Sequence, residues 1–148
     1  IMYCGSLSHC NITELGRRKD FSVHKLGHEL SGRFDVAHGA SLTAMWASWA
    51  RYSYKTDIKR FARLAAVLWG ISEKDDEKAA LQGIDKMEKY FQSIGLPIDF
   101  TGLGIGIQSD EMIEYLADMC TNKGTKTVGV FKPITKQDAV NMYKMANH

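Results

Sequence analysis

A stretch with no charged side chain places the strongest constraint on the fold of this chain. Residues 39–50 read GASLTAMWASWA, and the bulky residues Leu42, Met45, Trp46 and Trp49 recur there at helical spacing. A helix without charges is typically buried on most of its sides. The small residues between the bulky ones allow other helices to approach closely. We therefore predict a central helix around which the rest of the chain packs.

Further helices are predicted on both sides of this central helix, each from a capping residue and an apolar stripe. The helix that follows Thr56 has a predicted inward face made of Phe61, Leu64, Ala65 and Leu68. The other predicted helices cover residues 21–32 with Asp20 or Ser22 as N-cap, residues 72–95 with Ser72 as N-cap, and two segments that start at Ser109 and at Thr135, the latter with Asp138 in its first turn.

Two segments are predicted to be non-helical, one as a β-strand and one as a loop. Residues 125–131, TKTVGVF, alternate as a β-strand does, and Pro133 ends the alternation. Residues 101–106, TGLGIG, are rich in glycine but lack the G-x-G-x-x-G spacing of a dinucleotide-binding loop, so a plain loop is predicted there. Since all other segments indicate helix and no linker or repeat divides the chain, we predict one all-α domain over residues 1–148.

The distribution of charge and the cysteine content indicate which partners and which compartment to expect for this protein. The 19 basic and 17 acidic residues are spread along the 148-residue chain, without the basic stripe of a nucleic-acid-binding protein. The number of cysteines is odd (Cys4, Cys10 and Cys120), and none of them form a C-x-x-C pair. This pattern favours a reducing compartment over a disulfide scaffold, and we therefore expect a cytoplasmic protein. No apolar run approaches the roughly 18 residues that cross a bilayer. Nucleic acid and membrane are therefore not expected as partners.

Three of the five histidines lie close together in the sequence HKLGHELSGRFDVAH, as His24, His28 and His38. On a helix, His24 and His28 are one turn apart and lie between the small residues Gly27 and Ser31 and a charged face, which is where the residues of a cleft belong. The turn before His38 allows the chain to double back toward His24. This arrangement indicates a candidate metal site.

The spacing alone leaves several interpretations open. His24 and His28 could both bind one ion, or one could bind it while the other faces a substrate. The histidines could instead hold a structural metal without catalysis, and the chain could be a helical interaction module that packs on a partner.

The segment GRRKDFSVHKLGHELSGRFDVAHGASL resembles the signature region of the iron-containing alcohol dehydrogenases, and within them the butanol dehydrogenase branch. IMYCGSLSH, YFQSIGLP and FKPITKQDAVNMY resemble other segments of the same family, so that the resemblance extends over the whole chain. It implies the helical C-terminal domain of that family, with a dehydroquinate synthase-like fold. It also implies that an N-terminal dinucleotide-binding domain, and an Asp and a His that complete the metal site, are absent from this chain.

The resemblance also implies roles for individual residues. His24 and His38 match two ligands of a divalent iron, whereas His28 matches a histidine beside the nicotinamide and the substrate, with a role in positioning or proton relay. Cys120 could approach the nicotinamide end of the site, as a cysteine does in some relatives, although a small buried residue is the commoner role.

The implied reaction is the interconversion of a primary alcohol such as butanol and its aldehyde, with Fe(2+) or another divalent metal and with NAD or NADP. The chain alone is expected to be inactive. Because the apolar surface that would face the missing domain tends to be covered by self-association, we expect a homodimer or larger homo-oligomer.

Overall fold

The computed structural model describes residues 2–148, apart from the side chain of Thr13. This part of the chain is helical and contains no β-strand, which confirms the all-α prediction. Among its helices, none combines the length and the apolar character needed to cross a membrane. The α-helices are α1 (Met2–His9), α2 (Ser22–Phe34), α3 (His38–Ser53), α4 (Ile58–Trp69), α5 (Asp76–Ser93), α6 (Asp110–Cys120) and α7 (Lys136–Ala146).

The larger hydrophobic core lies between α2, α3, α6 and α7. Leu26 and Leu30 of α2 and Met45 of α3 are completely buried in it. The buried Tyr143 of α7 donates a hydrogen bond from its hydroxyl to the backbone oxygen of Leu26, at 2.9 Å, so that α7 is tied directly to α2. The other large side chains of this core are Phe100, Ile113, Leu116, Ile134, Val140 and Met142.

A second, smaller core lies on the other side of α3, where the α4–α5 hairpin packs. Ala47 and Ala50 of α3 contact this core, and Arg51 at the end of the helix forms ion pairs with Asp85 and Glu88 of α5. The uncharged helix α3 therefore contributes to both cores, which confirms the prediction of a central helix. The second core also contains Tyr54, Phe61, Ala80 and Ile84.

The predicted inward face of α4 is only half right. Phe61 and Ala65 are buried, but Leu64 and Leu68 are 37% and 51% exposed. The reason is that α4 packs on α5 through its small residues: a Cβ atom added to Gly83 would lie 2.5 Å from the Cβ of Ala65. Because the contact between the two helices is centred on Ala65 and Gly83, Leu64 and Leu68 lie on the flank of α4.

The start of α5 differs from the prediction. The helix begins at Asp76, one turn later than expected, and its N-cap is Asp75 rather than Ser72. The Asp75 carboxylate accepts hydrogen bonds from the backbone N–H groups of Glu77 and Lys78, at 2.9 and 3.1 Å. A carboxylate in this position is a strong cap because it also faces the positive end of the helix dipole. The predicted caps of α6 and α7, Ser109 and Thr135, are confirmed.

The strand predicted for residues 125–131 is wrong. Only Val128 pairs, with Ile134, in an isolated antiparallel bridge. Gly129 has a φ of +79°, which interrupts the extended backbone that a strand requires. The segment is instead a loop attached to the beginning of α2: the Asp20 carboxylate accepts hydrogen bonds from the backbone N–H groups of Val130 and Phe131, at 2.6 and 3.1 Å.

The N-cap predicted for α2 is also wrong. Ser22 is the first residue of the helix, and the capping position is occupied by Phe21, whose side chain provides no capping hydrogen bond. The Asp20 carboxylate accepts hydrogen bonds from the backbone N–H and the hydroxyl of Ser22, at 3.4 and 3.1 Å, in addition to those from Val130 and Phe131. Asp20 therefore joins the first residue of α2 to a loop that lies more than a hundred positions later in the sequence.

Candidate metal centre

The three histidines lie at the junction between α2 and α3. His24 and His28 are one turn apart on α2, and His38 is the first residue of α3. Between the helices, Asp35 has a φ of +54° and ends α2, which allows the chain to reverse direction within a few residues. The reversal places His38 beside the two histidines of α2, as the turn in the sequence predicted.

The two helices approach each other closely behind the histidines. A Cβ atom added to Gly27 would lie 2.8 Å from Cδ2 of Leu42 and 3.2 Å from the backbone carbonyl carbon of Ser41, so that a larger residue requires the Leu42 side chain to move and α3 to shift slightly. A hydrogen bond of 2.9 Å joins the hydroxyl groups of Ser31 and Ser41. The Ser41 hydroxyl also donates to the backbone oxygen of His38, at 2.8 Å. These contacts fix the first turn of α3 relative to α2.

The imidazole rings form a nearly equilateral triangle. Ring centroids are 4.6 Å apart for His24 and His28, 4.7 Å for His24 and His38, and 4.8 Å for His28 and His38. One ring nitrogen of each residue lies within 4.8 Å of those of the other two, and within residues 2–148 no other group of potential ligands comes as close together. In a tetrahedral site with metal–nitrogen bonds of about 2.1 Å, ligand nitrogens are about 3.4 Å apart, so imidazoles that share one ion here would rotate toward one another.

The electrostatics of the cluster favour a neutral imidazole at His24. Partial burial lowers the pKa of His24 below the usual value for histidine, and the neighbouring His28 and His38 lower this pKa further because a second positive charge there would be repelled. Neutral imidazole is the form that binds a metal ion. The imidazole donors, with His24 favoured in its neutral form, therefore fit a divalent transition metal.

Several residues of the site were not predicted from the sequence as parts of it. Phe21 packs edge-on against His24, with ring centroids 4.9 Å apart. The hydroxyl pair of Ser31 and Ser41 and the close contact at Gly27 were also missed. Small residues next to the histidines were visible in the sequence, but which of them would contact α3 depends on the register between the two helices.

Cys120 is not part of the triangle of histidines. It lines a groove between α2, the end of α6 and residues 121–130, which we call the α2–α6 groove, where Lys25 and Glu29 are among its neighbours. Burial raises the pKa of the Cys120 thiol to about 12, and the nearby Glu29 carboxylate adds to the effect. Cys120 is therefore a neutral thiol and not a reactive thiolate.

Comparison with known proteins identifies the family of this chain. The family model described as "Fe-containing alcohol dehydrogenase family, C-terminal" matches residues 2–147. NADH-dependent butanol dehydrogenase A of Clostridium acetobutylicum is 29% identical over 97% of this chain and 37% of its own length. The probable NADH-dependent butanol dehydrogenase 1 of Bacillus subtilis is 30% identical over 97% of this chain and 36% of its own length.

The fold also has a known counterpart. The crystal structure of NADH-dependent butanol dehydrogenase A from Thermotoga maritima superposes on 99% of this chain with a TM-score of 0.87 and 23% identity, and this chain covers 38% of it. The chain thus spans little more than a third of the length of these relatives. Together with the match over residues 2–147, these findings show that the chain belongs to the iron-containing alcohol dehydrogenase family, of which it represents the helical C-terminal domain.

Proposed function

We propose that this chain is the metal-binding C-terminal part of an NAD(P)-dependent alcohol dehydrogenase that interconverts a primary alcohol, such as butanol, and its aldehyde. The observation that carries the proposal is the triangle of imidazoles at the α2–α3 junction, found in a chain that matches the C-terminal domain of this family. The relatives named above as NADH-dependent butanol dehydrogenases support the class of substrate and the nicotinamide cofactor.

His24 and His38 are proposed to hold the divalent ion, which the name of the family indicates to be iron. They come from two different helices, and the Ser31–Ser41 hydrogen bond and the contact at Gly27 hold these helices in register. Two imidazoles fill only part of the coordination shell of a transition metal, so other ligands and the substrate oxygen have room to complete it.

His28 is proposed to act on protons rather than on the metal. A bound divalent ion would polarise the carbon–oxygen bond of the substrate, and the nicotinamide would exchange the hydride. The exposed imidazole of His28 lies beside both proposed ligands, where one ring nitrogen can deliver a proton to the substrate oxygen or accept it. Cys120 is proposed to contact the nicotinamide from the α2–α6 groove as a neutral thiol.

An exposed apolar strip on α4 and three free cysteines bear on the assembly and the location of the protein. Leu64, Val67 and Leu68 form an exposed apolar strip on α4, with 74% of Val67 accessible, and such a strip is favourably covered by a second copy of the chain. We therefore propose a homodimer or larger homo-oligomer. The free cysteines, Cys4, Cys10 and Cys120, support a cytoplasmic location because thiols persist in a reducing compartment.

The test is a set of substitutions in the full-length protein, with metal content and butanal-dependent oxidation of NADH or NADPH measured together. His24→Ala and His38→Ala should lose metal and turnover together. His28→Ala should keep the metal while turnover falls roughly 10- to 1000-fold, as expected for loss of proton transfer. His148→Ala, which changes an exposed histidine at the end of the chain, is the matched control.

Other outcomes would contradict the proposal in distinct ways. Tightly bound metal without turnover on any primary alcohol or aldehyde would indicate a structural metal site. Loss of metal in the His28→Ala variant would show that His28 is itself a ligand.

A further inference from the structure

The α2–α6 groove lies directly beside the histidine cluster. It has a volume of about 450 Å³. Phe21 connects the two features, because it lines the groove and its ring also packs against the ring of His24. A small molecule with one end at the histidines can therefore place its other end in the groove.

Part of the groove wall is apolar and open to solvent. Phe21, Met119 and Val130 line the groove and are 37%, 50% and 44% exposed. Exposed apolar side chains that share one concave surface are a favourable environment for a short hydrocarbon chain. The groove therefore suits a ligand with an aliphatic segment.

The same groove carries an excess of positive charge. Three lysines line it, and Lys19 is already paired with Glu14. Within the described part of the chain, Lys25 and Lys126 form no ion pair with a carboxylate. Both ammonium groups are thus available to a ligand.

The positions of these two lysines are fixed by the fold. Lys25 directly follows His24 and precedes His28 by three residues, which makes it a surface neighbour of His28 on the helix. Lys126 belongs to the loop whose following residues, Val130 and Phe131, are held by the Asp20 carboxylate at the beginning of α2. One cation is therefore carried by α2 and the other by the loop that follows α6.

One carboxylate, that of Glu29, also lines the groove. It is partly buried, and burial raises the pKa of its carboxyl group, whereas the nearby His28 and Lys25 act to lower this pKa. The charges that act on this carboxyl group are those of His28 and Lys25, and Lys126 is not among them. One carboxylate facing three lysines leaves the groove with a net positive charge.

We infer that the α2–α6 groove is an anion-binding subsite, in which the ammonium groups of Lys25 and Lys126 bind a carboxylate or phosphate of the ligand at the histidine cluster. The apolar wall then contacts the aliphatic segment of that ligand. That the end of the ligand at the histidine cluster is an alcohol or aldehyde rests on the proposed dehydrogenase function, whereas anion binding in the groove does not. The anionic group has two possible sources, the tail of the substrate or a phosphate of the nucleotide cofactor.

Anion binding can be tested on the 148-residue chain by NMR titration with butyrate and with butyramide, its neutral counterpart, while the amide signals of Gly129 and Val130 are followed. Butyrate should shift these signals more strongly and at lower concentration than butyramide.

Lys25→Gln and Lys126→Gln should each weaken butyrate binding roughly tenfold, as expected for loss of a charge-assisted contact. Lys59→Gln, which removes an exposed lysine from α4, is the matched control. Equal binding of the two probes, or unchanged butyrate binding in the Lys25→Gln/Lys126→Gln variant, would overturn the inference.

The source of the anion can be decided in the full-length protein. A substrate tail predicts that succinic semialdehyde has a higher kcat/KM than butanal and that Lys25→Gln reduces this ratio severalfold. A cofactor phosphate predicts an unchanged ratio and a higher KM for NADH or NADPH. Absence of turnover with both aldehydes would contradict the proposed function, and the butyrate titration would still decide whether the groove binds anions.

Discussion

The α2–α3 pair and the α4–α5 pair use the same packing device but end in different surfaces. In each pair a glycine allows close contact: Gly27 faces Ser41 and Leu42, and Gly83 faces Ala65. The α2–α3 contact also includes a hydrogen bond between two serine hydroxyls, and it opens onto three imidazoles. The α4–α5 contact is apolar and leaves leucines exposed on its flank.

This difference shows which helix contact the candidate site depends on. His24 and His38 lie on the two members of the α2–α3 pair, so a change in the spacing of these helices changes the distance between the proposed ligands. The α4–α5 pair contacts α3 from the opposite side, through the smaller core. Damage to the hairpin should therefore reduce stability while the metal site is preserved.

The largest effect is expected at Gly129, in the loop that holds the beginning of α2. Its φ is +79°, and an added Cβ atom would lie 1.9 Å from Oγ of Ser22. Gly129→Ala should lower the free energy of unfolding by about 2–4 kcal/mol through backbone strain and overpacking. Urea denaturation measures the change. A loss below about 0.5 kcal/mol would mean that the loop does not position α2, since ordinary surface substitutions have effects of that size.

A matched pair of glycine substitutions distinguishes the role of the α2–α3 contact from that of the α4–α5 contact. Gly27→Ala and Gly83→Ala should each lower the free energy of unfolding by about 1–3 kcal/mol, because both force two helices apart. Only Gly27→Ala should also weaken metal binding, since it moves α3 and with it His38. Denaturation and metal titration of both variants in the full-length protein provide the measurement. Equal metal affinity in the two variants would show that the site tolerates movement of α3.

The smallest effect is expected from pH. The pKa of His24 is lowered by burial and by the facing His28 and His38, with smaller contributions from Lys25 and His9. A histidine with a lowered pKa in the folded state contributes full stability above its unfolded pKa of about 6.5, and this contribution is lost as the pH falls through the folded pKa. Denaturation of the metal-free chain between about pH 7.5 and pH 5 should show a decline in stability that His24→Gln makes shallower. An identical decline in both proteins would assign it to other groups.

Much of the fold could be predicted from the sequence because helix caps and apolar stripes are local signals. The caps at Ser109 and Thr135 and the uncharged central helix are examples. Residues 125–131 show where local signals fail: the alternation there is compatible with a strand, but the backbone is fixed by Asp20, which lies far away in the sequence. Asp20 was predicted to cap a helix for the same reason, since a single sequence does not reveal a distant partner.

The candidate site was predictable to a similar extent. The spacing of His24 and His28 and the turn before His38 predicted that the three residues would meet, and the structure brings them together. Their separate roles do not follow from spacing, because the three rings are almost equally far from one another. The α2–α6 groove was not predicted, since its walls come from segments that are widely separated in the chain.

The three histidines are proposed to have different roles: His24 and His38 bind the ion, and His28 remains free. X-ray absorption spectroscopy at the metal edge counts the imidazole ligands of the ion in the full-length protein. We expect His28→Ala to leave the number of imidazoles unchanged, whereas His24→Ala and His38→Ala should each either remove one imidazole or abolish metal binding. Loss of one imidazole signal in the His28→Ala protein, or an unchanged spectrum in the His24→Ala or His38→Ala protein, would contradict these roles.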